Sequence, residues 1–215
     1  MESFSSIEEL IESYKDVPFV KKQIEFYLEQ NQAATKFVEL SNKENWPLRI
    51  DHLTIRTFNI DKAAKQYQVL GWQFSEQIEY KKEGWFAKIY HHPKYAPFFI
   101  DQSYEDASPE LKIVQNWVNF FGDKEFHHIA FTLPNQIEIE EAIQKMEEQM
   151  VTFPGQITGQ KGSRLRQVFS KAENYKGKPF SVLEIAERNE DPATGKIYEG
   201  FISEQADNLM KDSLL

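Results

Sequence analysis

Apolar and polar positions alternate through LRIDHLTIRTF (48–58): Leu53 and Ile55 fall on one face, His52, Thr54 and Arg56 on the other. That period of two predicts a strand with one face in a core. Upstream the spacing is helical. Ser5 or Ser6 can cap a first helix, each with a glutamate three positions on (Glu8, Glu9), the spacing of a capping box. Pro18 suits the first turn of a longer helix that carries Val20, Ile24, Tyr27 and Leu28 at helical intervals. The polar stretch 41–46 ends it. Residues 1–46 therefore read as a helical cover packed on the rest of the chain.

After the first strand, residues 59–70 predict a helix closed by Gly71, and strands come next at 72–80, 85–91 and 95–100. A linking helix over 108–121 ends at Gly122. Then the order returns, with a strand at 126–133, a helix at 137–150, and strands at 156–160, 165–171 and 180–188. The expected fold class is α+β: two βαβββ units across 47–190, curved around a shared cleft, with a C-terminal extension over 191–215. Inward positions of both units would converge on that cleft although far apart in sequence.

Composition narrows the chemistry. Apolar residues make up 40% of the 215 positions, with 17 Phe, 9 Tyr and 4 Trp, which favours a packed core over disorder. A net charge of −9 argues against a nucleic-acid partner, because phosphate binding needs a basic face. No apolar run approaches the ~18 residues of a membrane span, and the acidic start MESFSSIEEL lacks the layout of a signal peptide. A cytoplasmic location without membrane partners is expected. With no cysteine, neither disulfides nor thiolate chemistry is available, and only five histidines can ligate a metal: His52, His91, His92, His127 and His128.

On the first strand of each unit the inward set is His52, Thr54, Arg56 and His128, Ala130, Thr132, since Ile129 and Phe131 must take the apolar face. Strict alternation puts His127 on the opposite face from His128 and leaves it as the rival ligand. His91 and His92, before Pro93, read as solvated loop residues. In FSVLEIAER (180–188), Glu184 shares a face with Val182, Ala186 and Arg188. A carboxylate inside an apolar strand calls for a cation or a proton beside it. Two imidazoles and one carboxylate on one face leave about three positions open on an octahedral ion. A 2-oxo-acid can chelate two of them, leaving one for O₂. No helical H-E-x-x-H pair of the zinc peptidases is present. Fe(II) is the expected cofactor, with Zn, Mn and Ni open on the ligand set alone. Arg56 lies four residues beyond His52, ~13 Å along the same face. It either grips the distal carboxylate of a dicarboxylic acid or balances a buried acid. Gln167, in RLRQVFSKA (164–172), either bonds substrate or a ligand, or satisfies backbone. GQKGSRLR (159–166) lacks the spacing of a phosphate-binding loop.

DHLTIRTF, HHIAFTLP, RLRQVFSKA and VLEIAER together resemble the vicinal oxygen chelate (glyoxalase-like) superfamily and, within it, the 2-oxoadipate dioxygenase/decarboxylase family. The last two segments are also similar to the closing strands of 4-hydroxyphenylpyruvate dioxygenase. The likeness covers roughly residues 49–188. It implies His52, His128 and Glu184 as metal ligands, Arg56 as a substrate-carboxylate contact and Gln167 as an active-site glutamine. It further implies an Fe(II)-dependent reaction in which a bound 2-oxo-acid loses CO₂ in the presence of O₂ and the shortened acid is hydroxylated. The alternatives are a glyoxalase-like isomerase or lyase, and a protein that binds a small ligand without turnover.

Overall fold

The computed structural model describes residues 3–191, 193–202 and 209–210. Three helices open the chain: α1 (Ile7–Ser13), α2 (Pro18–Gln30) and α3 (Gln32–Lys43). Ser6 caps α1 by accepting from the Glu9 amide, and Pro18 begins α2. The break between α2 and α3 comes at Asn31, whose extended backbone ends one helix while its side chain caps the next by accepting from the Ala34 amide at 2.8 Å.

The first unit comprises β1 (Arg49–Arg56), α4 (Ile60–Gln68), β2 (Gln73–Tyr80), β3 (Trp85–His91) and β4 (Phe98–Ser103). Gly71, at φ 108°, makes the turn from α4 into β2, and a Cβ there would come within 2.7 Å of the His92 ring. The linking helix is shorter than its pattern suggests, α5 (Ile113–Phe121), preceded by a single 3₁₀ turn at Pro109–Leu111. The second unit comprises β5 (Glu125–Thr132), α6 (Ile139–Glu147), β6 (Leu165–Phe169), β7 (Glu173–Tyr175) and β8 (Lys178–Arg188).

The two units join edge to edge in one curled sheet of order β2-β3-β4-β1-β5-β8-β6, with β7 on β8. In each unit the first strand lies parallel to the last, β1 with β4 and β5 with β8. An antiparallel strand flanks that last strand on its other side, β3 in the first unit and β6 in the second. The seam is the antiparallel pair β1–β5. The duplication is incomplete. The strand expected at 156–160 reduces to one bridge between Thr158 and Gln167, because Pro154-Gly155 and the positive φ of Gly159 (89°) prevent an extended run.

Alternation sorts the faces. Leu53, Ile55, Ile129, Phe131, Leu183 and Ile185 lie in one core with α1–α4 and α6. The helical cover is pinned to the last strand as well as packed on it: Tyr27 donates to the Val182 carbonyl at 2.6 Å, and Asn31 Nδ2 to Ser181 Oγ at 3.0 Å. The opposite, concave face is left to polar side chains, and α5 closes one end of it by packing Val114, Trp117 and Val118 near Tyr80, Trp85 and Phe180. No helix among the described residues is long and apolar enough to cross a membrane.

Candidate metal centre

His52 on β1, His128 on β5 and Glu184 on β8 meet on the concave face, all three buried. His52 Nε2 is 3.2 Å from His128 Nε2, and Glu184 Oε2 is 3.3 Å from the first and 3.1 Å from the second. Donors about 2.1 Å from one ion stand roughly 3.0–3.4 Å apart in octahedral or tetrahedral geometry, so the triangle fits a small divalent cation. Electrostatics point the same way. Three lone-pair donors face one another and need positive charge between them. Burial opposes a charged imidazole, yet Glu184 and Asp51 outweigh it and lift His52 to about 9. Burial likewise opposes the Glu184 carboxylate, which the two imidazoles hold at about 2. Burial dominates at His128, despite the hydrogen bond to Glu184, and takes it to about 4. One proton is thus drawn into the cluster where a metal ion would otherwise supply the charge.

Each member of the cluster has an outer partner, the usual means of orienting a side chain that is to bind a metal. His52 Nδ1 lies 2.8 Å from Asp51 Oδ1. Asp51 is itself held by the Thr132 hydroxyl at 2.8 Å and by Arg188, whose Nη2 donates at 2.9 Å and whose Nε donates to the other oxygen. Burial disfavours the Asp51 carboxylate, but Arg188 and His52 hold it far below the usual carboxylate range. His128 Nδ1 lies 2.8 Å from His127 Nδ1. Gln167 Nε2 donates to Glu184 Oε1.

His127 differs from its sequence expectation. Strict alternation puts it on the opposite face from His128, yet both line one cavity with His52, Arg56, Gln167 and Glu184. A bulge in β5 is the reason: Thr54 pairs with His128 and Ile55 with Phe126, so His127 is an extra, unpaired residue. The remaining histidines lie elsewhere. His91 is exposed, but His92 is not a plain loop residue. Its Nδ1 accepts from the Lys94 and Tyr95 amides, and its ring packs 4.7 Å from Trp72.

Arg56 is fully buried in the same cavity. It donates to Met210 Sδ at 2.9 Å and lies 5.3 Å over the Trp117 ring, while its Nε has no partner among the described residues. Burial brings its guanidinium down to about 10 against the attraction of Asp101, its register partner on β4. Burial raises Asp101 to about 7, although Arg56 and His52 favour its charge. The free volume is about 60 Å³, and Phe201, Ile202, Leu209 and Met210 line the cavity together with residues of the sheet. Arg188 donates to the carbonyls of Tyr198 and Gly200 at 2.8 and 2.9 Å, tying this stretch to Asp51.

Sequence reasoning missed Asp51, Asp101 and the lining contributed by Ile202, Leu209 and Met210. Arg188 carried a readable signal, since alternation sets it on the Glu184 face. The others depend on bulges, register and a chain tail with no periodicity.

The profile of the Glyoxalase/Bleomycin resistance protein/Dioxygenase superfamily matches residues 49–174. No curated protein matches the sequence. Among solved structures, a hydroxyglutarate synthase from Oryza sativa in complex with 2-oxoadipate superposes with a TM-score of 0.72 at 16% identity, covering 100% of this chain and 96% of that one. A variant 4-hydroxymandelate synthase from Streptomyces coelicolor superposes at 0.60 and 12% identity, over 78% of this chain and 54% of that one. At such identities these two show a shared fold.

Proposed function

The chain belongs to the Glyoxalase/Bleomycin resistance protein/Dioxygenase superfamily, and from that membership we propose that it is an Fe(II)-dependent oxygenase that decarboxylates a small 2-oxo-acid. The observation that carries this reading is the buried cluster of His52, His128 and Glu184 with Arg56 opening onto the same cavity. Two imidazoles and a carboxylate on one side of an ion are the donor set of non-haem Fe(II) oxygenases, which leave positions free for substrate and O₂. The shared fold with a hydroxyglutarate synthase holding 2-oxoadipate supports the substrate class.

The residues divide the work. His52, His128 and Glu184 hold the ion, which when bound supplies chelation of the 2-oxo-carboxylate and activation of O₂. Arg56 takes the far carboxylate of the acid in a fork, exchanging the Met210 thioether for a charged acceptor. Gln167 holds the Glu184 carboxylate in place through Oε1. Phe201, Ile202, Leu209 and Met210 keep bulk water from the reacting atoms. A cavity of about 60 Å³ holds only a few waters.

Anaerobic reconstitution with Fe(II), followed by O₂ uptake and CO₂ release across a panel of 2-oxo-acids, tests the reading. Coupled consumption and release with at least one dicarboxylic member is expected. Absence of O₂ uptake with every member would overturn it. Arg56→Ala should raise KM for dicarboxylic acids by about 10-fold or more, with metal occupancy unchanged; loss of the metal instead would make Arg56 structural.

A further inference from the structure

Both ligand-bearing strands bulge at the residue just before the imidazole. In β1, Ile50 pairs with Phe131 and His52 with Ala130, so Asp51 is extra; in β5, His127 is extra between Phe126 and His128. A bulge adds one residue to a strand and re-aims its side chain. In both strands the re-aimed side chain ends at the Nδ1 of the next residue, 2.8 Å away in each case. If the units are superposed so that His52 falls on His128, Asp51 falls on His127. The duplication has kept the device and changed its chemistry, from a carboxylate to a second imidazole.

We propose that His127 is the positioning residue of His128: it accepts the Nδ1–H of His128 and thereby fixes the tautomer that leaves Nε2 bare for the ion. The proposal deepens the metal-centre reading and rests on it. The contacts set the proton count. Two nitrogens 2.8 Å apart share one proton. His128 Nε2, 3.1 Å from Glu184 and 3.2 Å from His52, is the ligand atom and must keep its lone pair, so the proton of His128 sits on Nδ1. His127 Nδ1 is then the acceptor, and the proton of His127 sits on its Nε2. A neutral imidazole draws the shared proton less strongly than the Asp51 carboxylate does. His128 is accordingly the weaker donor of the pair.

The competing reading is that His127 only fills space beside Trp117 and Phe169, at 5.9 and 6.2 Å between rings. His127→Phe keeps that packing and removes the acceptor. His127→Asn places an amide oxygen where Nδ1 stood. Co(II) titration with the visible spectrum as readout should show His127→Phe weakened about 10- to 100-fold with an altered spectrum, and His127→Asn restored to within a few-fold of wild type. Ring ¹⁵N resonances of the Zn(II)-loaded wild type should place the His128 proton on Nδ1. The proposal is overturned if His127→Phe binds Co(II) like wild type, if His127→Asn is as weak as His127→Phe, or if the His128 proton sits on Nε2. Wild type that takes up no Co(II) brings down the metal centre and this proposal together; normal wild-type binding with an indifferent His127→Phe brings down this one alone.

Discussion

Phe99 and Glu184 hold the same place in the two βαβββ units. Each lies on the closing strand opposite the residue two beyond a histidine of the cluster, Thr54 in the first unit and Ala130 in the second. Two residues further along the seam strands the contrast reverses: the first unit sets Arg56 opposite Asp101, and the second sets Thr132 opposite Ala186. Each unit thus brings a histidine to the centre but only one adds a carboxylate there, while the other adds buried charge at the far end of the cavity. A symmetric site would have four ligands. An aromatic ring in the fourth place is what the proposed metal site requires, since it would leave room on the ion for something besides protein.

Removing the odd carboxylate has the largest expected effect. Glu184→Ala takes away a proposed ligand rather than its support, so metal affinity should fall by more than the roughly 10- to 100-fold typical of an outer partner. Equilibrium titration with Fe(II) or Co(II) under anaerobic conditions measures it. Binding within a few-fold of wild type would mean that the two units contribute equally and that Glu184 is not at the ion.

A second test separates support from ligation. Arg188 and Asp51 are both buried, and removing one member of a buried pair leaves an uncompensated charge that costs about 3–5 kcal/mol. Arg188→Leu should lower the urea-unfolding free energy of the metal-free protein by about that amount, and Arg188→Lys by less. A loss below about 1 kcal/mol would show that Thr132 and His52 suffice to hold Asp51 and that the clamp is redundant.

How much of this is legible in the chain depends on where the period of two holds. It holds from Leu53 to Arg56, through Ile129 to Thr132 and from Val182 to Arg188, and the site residues read from those runs, His52 and His128 at their edges included, do meet in one cavity. It fails at Asp51 and His127, because a bulge changes the count by one and leaves no mark in the pattern of apolar positions. The stretch 156–160 misleads for a related reason: Ile157 and Thr158 have strand character, but flanking proline and glycines confine the pairing to one bridge. Residues 191–215 have no period at all. The place of Phe201 and Met210 in the cavity wall, and the contacts of Arg188 with the Tyr198 and Gly200 carbonyls, come from the fold alone.

The charged end of the first unit offers a smaller, pH-dependent effect. Burial raises Asp101 to about 7, so the folded chain holds this proton more tightly than the unfolded one does. The contribution is complete below the unfolded value of about 3.9 and is lost as pH rises through 7, at a slope of at most about 1.4 kcal/mol per pH unit. Asp101→Asn should therefore gain stability over wild type as pH increases from 4 to 7, in the metal-free protein. Parallel stability curves for the two proteins over that range would show Asp101 ionised throughout and paired with Arg56.

The smallest expected effect lies at Phe99. Phe99 packs on His52 with ring centroids 4.7 Å apart and on Phe201 at 4.4 Å, contacts worth about 0.5–1.5 kcal/mol each beyond the area they bury. Phe99→Leu keeps an apolar wall and loses only the ring geometry. Stability should drop by about 1 kcal/mol, and Co(II) affinity should change less than about 10-fold, the least that losing an outer partner usually costs. Since Phe99 and Glu184 share one register position, the two substitutions sample the same site in the two units, and unequal losses are what a divided duplication requires. Comparable losses from both would mean that the ring orients His52 as strongly as the carboxylate holds the ion, and the first unit would then be a full partner in the metal centre rather than the wall beside it.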